Sequence, residues 1–596
     1  MSQKTNPLTR GKKQKALALL QHNQPAAAIP LLEQVCHTDR RDIEAWFQLA
    51  AARQELGAFA PAAEAYRQVI ALDQDHAEAH FYLGNTCLAL GDGPGAVAAF
   101  REAIRRRPEH QQARLNLGAL YELQRNFPAA EECFHEALRR EPLNPELHYN
   151  LGSVLHAQGK YADAVESYRH ALRLRPAHAD TYNNCGSSLA QLERYDESLA
   201  CYQQALRISP RLTAAYNNMG NTLVRMRRVQ EAIATYEQAL QIEPDYAETL
   251  TNLGNTKQRQ LGKIDEGIAY HRRAIECDPM YADAHHNLAF CLLLKGEFRE
   301  GWQEYDWRWK REGGMRRPLP PTSWDGADLN GRQVFIHAEQ GIGDELFFLR
   351  FLPLLKSRGA GRIVYRATAK IAPLLARVTG IDRLAGPDER PAPTDSVCAV
   401  GDLPRLLGMA SPDDVPPAIA LAPLPETLAG MRHTLAAYGA PPYIGVTWRA
   451  GVKGNDLVLH KESPLENLAQ LLRDIPGTIL VLQRLPHEGE LRTFQDTVGR
   501  PAHDLTGLND NLEAMLALLS LIDEYVGVSN TNMHLRAGVG KTARVLVPTS
   551  PEWRWMAEGK ESPWFPGFGV YRQGYDGSWE EAFDMLTADL QQAHGH

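Results

Sequence analysis

Phe335-Ile-His-Ala-Glu-Gln-Gly-Ile-Gly-Asp-Glu-Leu-Phe347 decides how the C-terminal half of this chain folds. Gln333–Ala338 reads as a buried strand and Glu339–Gly343 as a loop opened by two glycines. Asp344 begins a helix with an apolar stripe of Leu346, Phe347, Leu349, Leu352 and Leu355. A strand that runs through a Gly-rich turn into a helix places the turn at the carboxyl edge of a parallel sheet, where α/β proteins hold ligands. Asp344 is therefore the first candidate for chemistry, with His337, Glu339 and Gln340 on the same edge as candidate acceptor contacts.

Upstream, small residues recur every 34 positions at Gly84, Gly118, Gly152, Gly186, Gly220 and Gly254. Ala96, Ala130, Ala164, Ser198 and Ala232 keep the same frame, as do Phe100, Phe134, Tyr168, Tyr202 and Tyr236. Pro108, Pro142, Pro176, Pro210 and Pro244 close the units. Small residues let two antiparallel helices approach, the aromatic fills the gap between repeats, and the proline ends the second helix. This resembles the tetratricopeptide repeat and implies an array of about nine units over residues 10–312.

Two positions before each small residue from Gly118 onward stand Asn116, Asn150, Asn184, Asn218, Asn252 and, after a one-residue insertion, Asn287. An amide both donates and accepts, so it can pair with the backbone of an extended peptide of any sequence. The arrangement is similar to the asparagine ladder of the O-linked N-acetylglucosamine transferases and implies a polypeptide acceptor. The alternative is that the amides tie neighbouring repeats together. Repeat arrays also offer faces for a homo-oligomer.

Composition narrows the classes. The 596 residues are 44% hydrophobic and 23% charged, which predicts several globular domains. A net charge of −8 and the lack of a long basic run exclude a nucleic-acid binder. Eight cysteines stand singly with no C-x-x-C, as expected of reduced thiols rather than a disulfide or zinc framework. The apolar run Ala16–Leu20 is cut by Gln21, and Met515–Ile522 is too short to span a bilayer. The expectation is a cytoplasmic protein with no membrane span.

The aromatic stretch Gly301–Trp309 reads as a plug that docks the array onto the next domain, with a Gly- and Pro-rich linker over 313–332. A first α/β lobe follows over 333–425 and a second over 443–577, with a last amphipathic helix at 578–592. In the second lobe Tyr443–Arg449 and Thr478–Leu482 are strands, the latter ending in Gln483. Arg449, Lys461 and Gln483, with the turn Asn530-Thr-Asn532 and His534 at a helix start, are the expected anion-binding set.

His337-Ala-Glu-Gln-Gly-Ile-Gly-Asp344, followed by the Arg350-Phe-Leu-Pro353 helix, resembles the opening of the heptosyltransferase-like glycosyltransferases. Val526-Gly-Val-Ser-Asn-Thr-Asn-Met-His534 lies where that family carries Asp-Thr-Gly-x-x-His, with Ser529 and Asn530 replacing the acid and the threonine. The resemblance implies two Rossmann-type lobes of GT-B architecture, Asp344 as general base, and a bacterial enzyme. Direct displacement would make it inverting, and with no Asp-x-Asp motif at a strand end of the second lobe the transfer is expected to be metal-independent. The resemblance also implies a nucleoside diphosphate sugar as co-substrate, no cofactor, and a helix crossing back to the first lobe. The expected reaction is sugar transfer to a Ser or Thr hydroxyl of a polypeptide such as flagellin. The alternatives are a saccharide or lipid-linked acceptor, and a non-catalytic repeat scaffold with a degenerate transferase domain.

Overall fold

The computed structural model describes residues 7–311, 324–339, 341–450 and 461–594. It divides into two compact units, 1–242 and 243–596.

The first unit contains seven helical hairpins among the described residues, from Pro7–Gln21 with Pro25–Thr38 to Thr213–Arg225 with Val229–Ile242. Each pair turns through a left-handed residue, and these too are 34 apart: Asn23, Gly57, Gly91, Arg125, Gly159, Glu193 and Arg227. Three of the seven are glycine, which takes this conformation without the strain an L side chain meets there. The 34-residue glycines have a different cause. A Cβ added at Gly152 would sit 2.6 Å from the Tyr168 ring, and one at Gly118 2.8 Å from Phe134. From Gly84 to Gly220 the aromatic of the second helix packs against the bare backbone of the first. Tyr168, Tyr202 and Phe134 are thereby buried to 1% exposure or less. Arg175, at φ −135° and ψ 81° outside the helical region, ends its helix before Pro176 because the proline ring disfavours a helical predecessor.

The second unit starts with two more hairpins, Ala247–Leu261 with Ile264–Cys277 and Ala282–Lys295 with Phe298–Tyr305. A short turn, Asp306–Trp309, follows. Trp302 is 1% exposed and packs edge-on against Phe348, Trp553 and Trp564, so this hairpin shares one core with both lobes.

The first lobe is a parallel sheet of β1 (Gln333–His337), β2 (Arg362–Arg366), β3 (Arg383–Leu384) and β4 (Ser396–Ala399), in the order β3-β2-β1-β4. The second holds β5 (Tyr443–Thr447), β6 (Arg449–Ala450), β7 (Lys461–Glu462), β8 (Thr478–Val481), β9 (Ala502–Asp504), β10 (Glu524–Val528), β11 (Arg544–Val547) and β12 (Gly569–Arg572). Its main sheet runs β12-β11-β10-β5-β8-β9, all parallel, while β6 and β7 form a small antiparallel ribbon. That is the doubly wound strand order, which reverses between β5 and β10. Strands β3, β4, β9 and β12 and the β6–β7 ribbon add to those read from sequence; they have two to four residues each, too short to show a periodicity.

The last helix, Glu580–His594, corrects one expectation. Phe583, Leu586 and Leu590 pack into the second lobe's core beside Trp448 and Val526, and His594 bonds Glu524 at 2.9 Å. It stays on its own lobe because its apolar stripe is consumed there. No described helix is long and apolar enough to cross a membrane.

Candidate functional site

A cleft of about 370 Å³ opens at the strand-order reversal of the second lobe and faces the Gly341–Asp344 turn of the first. The carboxyl ends of β5 and β10 form its floor. Asn530 donates to the Thr447 hydroxyl at 3.0 Å, and Tyr525 bonds both residues at 3.1 Å. Asn530 also caps the helix Thr531–Gly538 by accepting from the Asn532 N–H at 3.0 Å. A hollow of about 520 Å³ lies elsewhere, between Gly262–Glu266 and Met556–Glu558, and its Lys263 and Lys295 are neutralised by Glu266 and Asp265.

Asp344 is the third residue of the helix Ile342–Phe348, whose N-cap is Gly341. Its Oδ2 accepts from the Gly341 N–H at 3.4 Å, and its Oδ1 accepts from Arg554. Neighbouring Glu345 points the other way into the core, where Tyr365 and the Thr368 N–H hold it at 3.1 Å each. Gly343 brings the turn against the second lobe: a Cβ there would lie 3.3 Å from the His534 ring.

Among the described residues, four cations line the cleft. Arg554 is 7% exposed, rests on the rings of Phe347 and Trp553, and pairs with Asp344. Lys461 pairs with Glu552, which also accepts from Ser529 at 2.8 Å. Arg449 pairs with Glu490 at 2.9 Å, and Arg484 makes no ion pair among the described residues. Burial would raise the Glu552 carboxyl, but Lys461 and Arg554 outweigh it and hold the group below its usual range. Burial, then Arg554, Arg350 and Lys461, push the His534 imidazole well below its usual value, so it is neutral. Among the described residues, the buried Nε atoms of Arg449 and Arg554 and the Nδ1 of His534 have no hydrogen-bond partner. Three such atoms on lining residues suit a polar ligand.

The expected residues divide. Asp344, Arg449, Lys461, Asn530, Thr531, Asn532 and His534 all line the cleft. Gln483 does not, for its amide is spent inside the fold. It accepts from the Trp448 and Arg449 N–H groups at 3.0 Å each and donates to the Arg449 and Arg484 carbonyls. Glu339 is buried under Arg308 rather than facing an acceptor. His337 lies buried at the end of β1 away from the cleft lining, and Gln340 lies outside the described residues. The sequence does not single out Glu552 or Arg484, and it marks Arg554 only within Pro551-Glu-Trp-Arg-Trp555, whose Trp and Arg could flank a base or sugar.

The asparagines show how their register is used. Asn116 donates to Asn85 at 2.8 Å, Asn184 to the Tyr149 hydroxyl at 3.2 Å, and Asn218 to Asn183 at 3.0 Å, each bond joining adjacent repeats. Asn150 makes no side-chain hydrogen bond among the described residues and lines a hollow of about 270 Å³ with Tyr149, Arg175 and His178. In the second unit Asn287 receives a long 3.5 Å contact from Arg259, and Asn252 is engaged as well.

The chain is thus a tetratricopeptide-repeat protein that carries an α/β region of two parallel sheets. The family described as the Cilia and flagella-associated protein 70 C-terminal domain matches residues 5–251. The chain is similar to Protein FlbA of Caulobacter vibrioides, with 29% identity over 326 residues, 51% of this chain and 54% of that protein. It therefore spans about half the length of this curated relative. Solved structures with a similar repeat portion include the C-terminal part of a TPR protein from Cytophaga hutchinsonii, with 17% identity and a TM-score of 0.36, covering 40% of this chain and 98% of that one. Another is YrrB, described as a TPR protein with an unusual peptide-binding site, with 23% identity and a TM-score of 0.29, covering 32% and 97%.

Proposed function

We propose that the protein transfers a sugar from a nucleoside diphosphate donor to a Ser or Thr hydroxyl of a polypeptide held by the repeats. The observation that carries this reading is the cleft itself: one carboxylate from the first lobe faces a cluster of cations at the strand-order reversal of a doubly wound sheet. In such sheets ligands bind at that reversal. Among the lining residues, Arg449, Lys461, Arg484 and Arg554 outnumber Asp344 and Glu552, which suits a diphosphate.

The chemistry balances without a further reactant. The hydroxyl oxygen of the acceptor bonds to the anomeric carbon as the bond from that carbon to the diphosphate oxygen breaks. Asp344 takes the hydroxyl proton, and the diphosphate leaves with the bonding electron pair against Arg449, Lys461 and Arg554. Direct displacement inverts the anomeric carbon. The loss of an acid at Ser529 is offset in this reading by Glu552, which puts a carboxylate beside the same hydroxyl.

One observation favours a second reading, a scaffold that binds partners without catalysis: three of the four cleft cations are already paired with resident carboxylates. Calorimetry with a panel of nucleoside diphosphates separates the two. One of them binds, and Lys461→Ala weakens it, if the cleft is a donor site. Binding of none leaves the scaffold.

A further inference from the structure

The buried charges of the first lobe lie away from the cleft. Arg308, in the turn that ends the last hairpin, inserts under the carboxyl ends of β1 and β4 and is 8% exposed. Its guanidinium donates to Glu339 at 3.0 and 3.2 Å and to Asp402 at 2.5 Å, and it stacks on Tyr305 and Trp309. Glu339 stands two residues past β1, where the Asp344 turn begins. Asp402 stands three past β4 and accepts from the Ala399 N–H at 3.3 Å. In the order β3-β2-β1-β4, the gap between β1 and β4 is this lobe's own strand-order reversal, the place where an α/β sheet takes a ligand. Here the arginine of the repeat array fills it. The approach is so close that Gly401 cannot carry a side chain, since a Cβ there would run into the Glu339 carboxylate.

We propose that Arg308 is a positioning residue for Asp344. By holding Glu339 at one end of the turn, the array fixes where the helix Ile342–Phe348 starts, and so where its third residue points. The far end of that turn is held by Gly343 against His534, and the Asp344 carboxylate by Arg554. The repeat segment is thus a working part of the cleft in addition to any role in holding a partner. The proposal rests on the transferase reading only for its catalytic consequence; the mechanical part stands apart from it.

The test uses the full chain with Arg308→Lys, which keeps one charge but loses the fork that spans two carboxylates. The expected results are a helical signal like the parent's, a diphosphate affinity within about two-fold, and amide exchange over 342–348 faster by about ten-fold or more. Transfer kcat falls by about ten-fold or more with KM for the acceptor unchanged, because small misplacements of a reacting group are costly. If the lysine variant does not fold, the neutral set Arg308→Met, Glu339→Gln and Asp402→Asn carries the same measurements. Unchanged exchange overturns the proposal, and so does faster exchange with unchanged kcat. A parent that transfers to no acceptor defeats the transferase reading instead, while the exchange result still decides whether Arg308 places the Asp344 helix.

Discussion

Arg554 donates to the Asp344 carboxylate across the cleft, joining the two lobes through residues 210 positions apart. The contact gives the cleft its charge order: Asp344 of the first lobe, then Arg554, Glu552 and Lys461 of the second, alternate in sign. In the proposed reaction the carboxylate that takes the proton is held by a cation that the diphosphate would also attract.

Replacing the carboxylate separates its roles. Asp344→Asn keeps the size and can still cap Gly341, but it leaves Arg554 without its anionic partner. Transfer should fall by roughly 10²–10⁴-fold, the usual contribution of a positioned base. Calorimetry should show diphosphate binding equal to or tighter than the parent's. Transfer within a few-fold of the parent would make Asp344 a structural cap.

Removing the cation should act on the donor first. With Arg554→Gln, Asp344 and Glu552 face the cleft with one cation fewer between them. Diphosphate affinity should weaken by at least ten-fold, about 1.4 kcal/mol. Titrating donor against both proteins checks this, and an unchanged affinity would place the diphosphate elsewhere.

The repeat asparagines should differ among themselves. Asn184→Ala and Asn218→Ala each break a bond between adjacent repeats, and each should cost about 0.5–1.5 kcal/mol of local stability. Asn150→Ala breaks none and should cost little. Amide exchange over the helices Ala179–Gln191 and Thr213–Arg225 reads the difference. If only Asn150→Ala also weakens acceptor binding, that position touches the partner while its neighbours hold the array together.

Acidity should act through Glu339. Burial first, and then Asp402 beside it, push this carboxyl up to about 7, even though Arg308 pulls the other way. The groups around it are Arg308 and Asp402, with Asp306 and Arg405 paired just beyond. Because the folded value lies above the unfolded one, the folded state binds the proton more tightly. That stability is complete below the unfolded value near 4.5 and is lost as pH rises toward 7. Thermal unfolding followed from pH 5 to 8 should show the parent losing ground against Glu339→Gln. Parallel curves would place the titration elsewhere.

Much of the architecture was written in local pattern. The 34-residue spacing marks where a bare backbone must meet an aromatic ring, and both partners lie 16 residues apart in one hairpin, as Gly152 and Tyr168 do. The strand, glycine turn and helix around Asp344 are likewise contiguous, so residue order alone places that carboxylate at a sheet edge. What the sequence alone left open are the partners that meet across the fold. Arg554 reaching Asp344, Glu552 standing beside Ser529, and Arg308 closing on Glu339 and Asp402 join segments that no periodicity links. Gln483 shows the same limit from the other side. At a strand end it has the position of a ligand contact, and only the packed structure reveals that the backbone of β6 and its neighbours uses its whole amide. Local sequence determines which elements form, because dihedral and burial preferences act over a few residues. Which charges meet is decided by how those elements pack, because a buried charge must find its partner wherever the fold brings one.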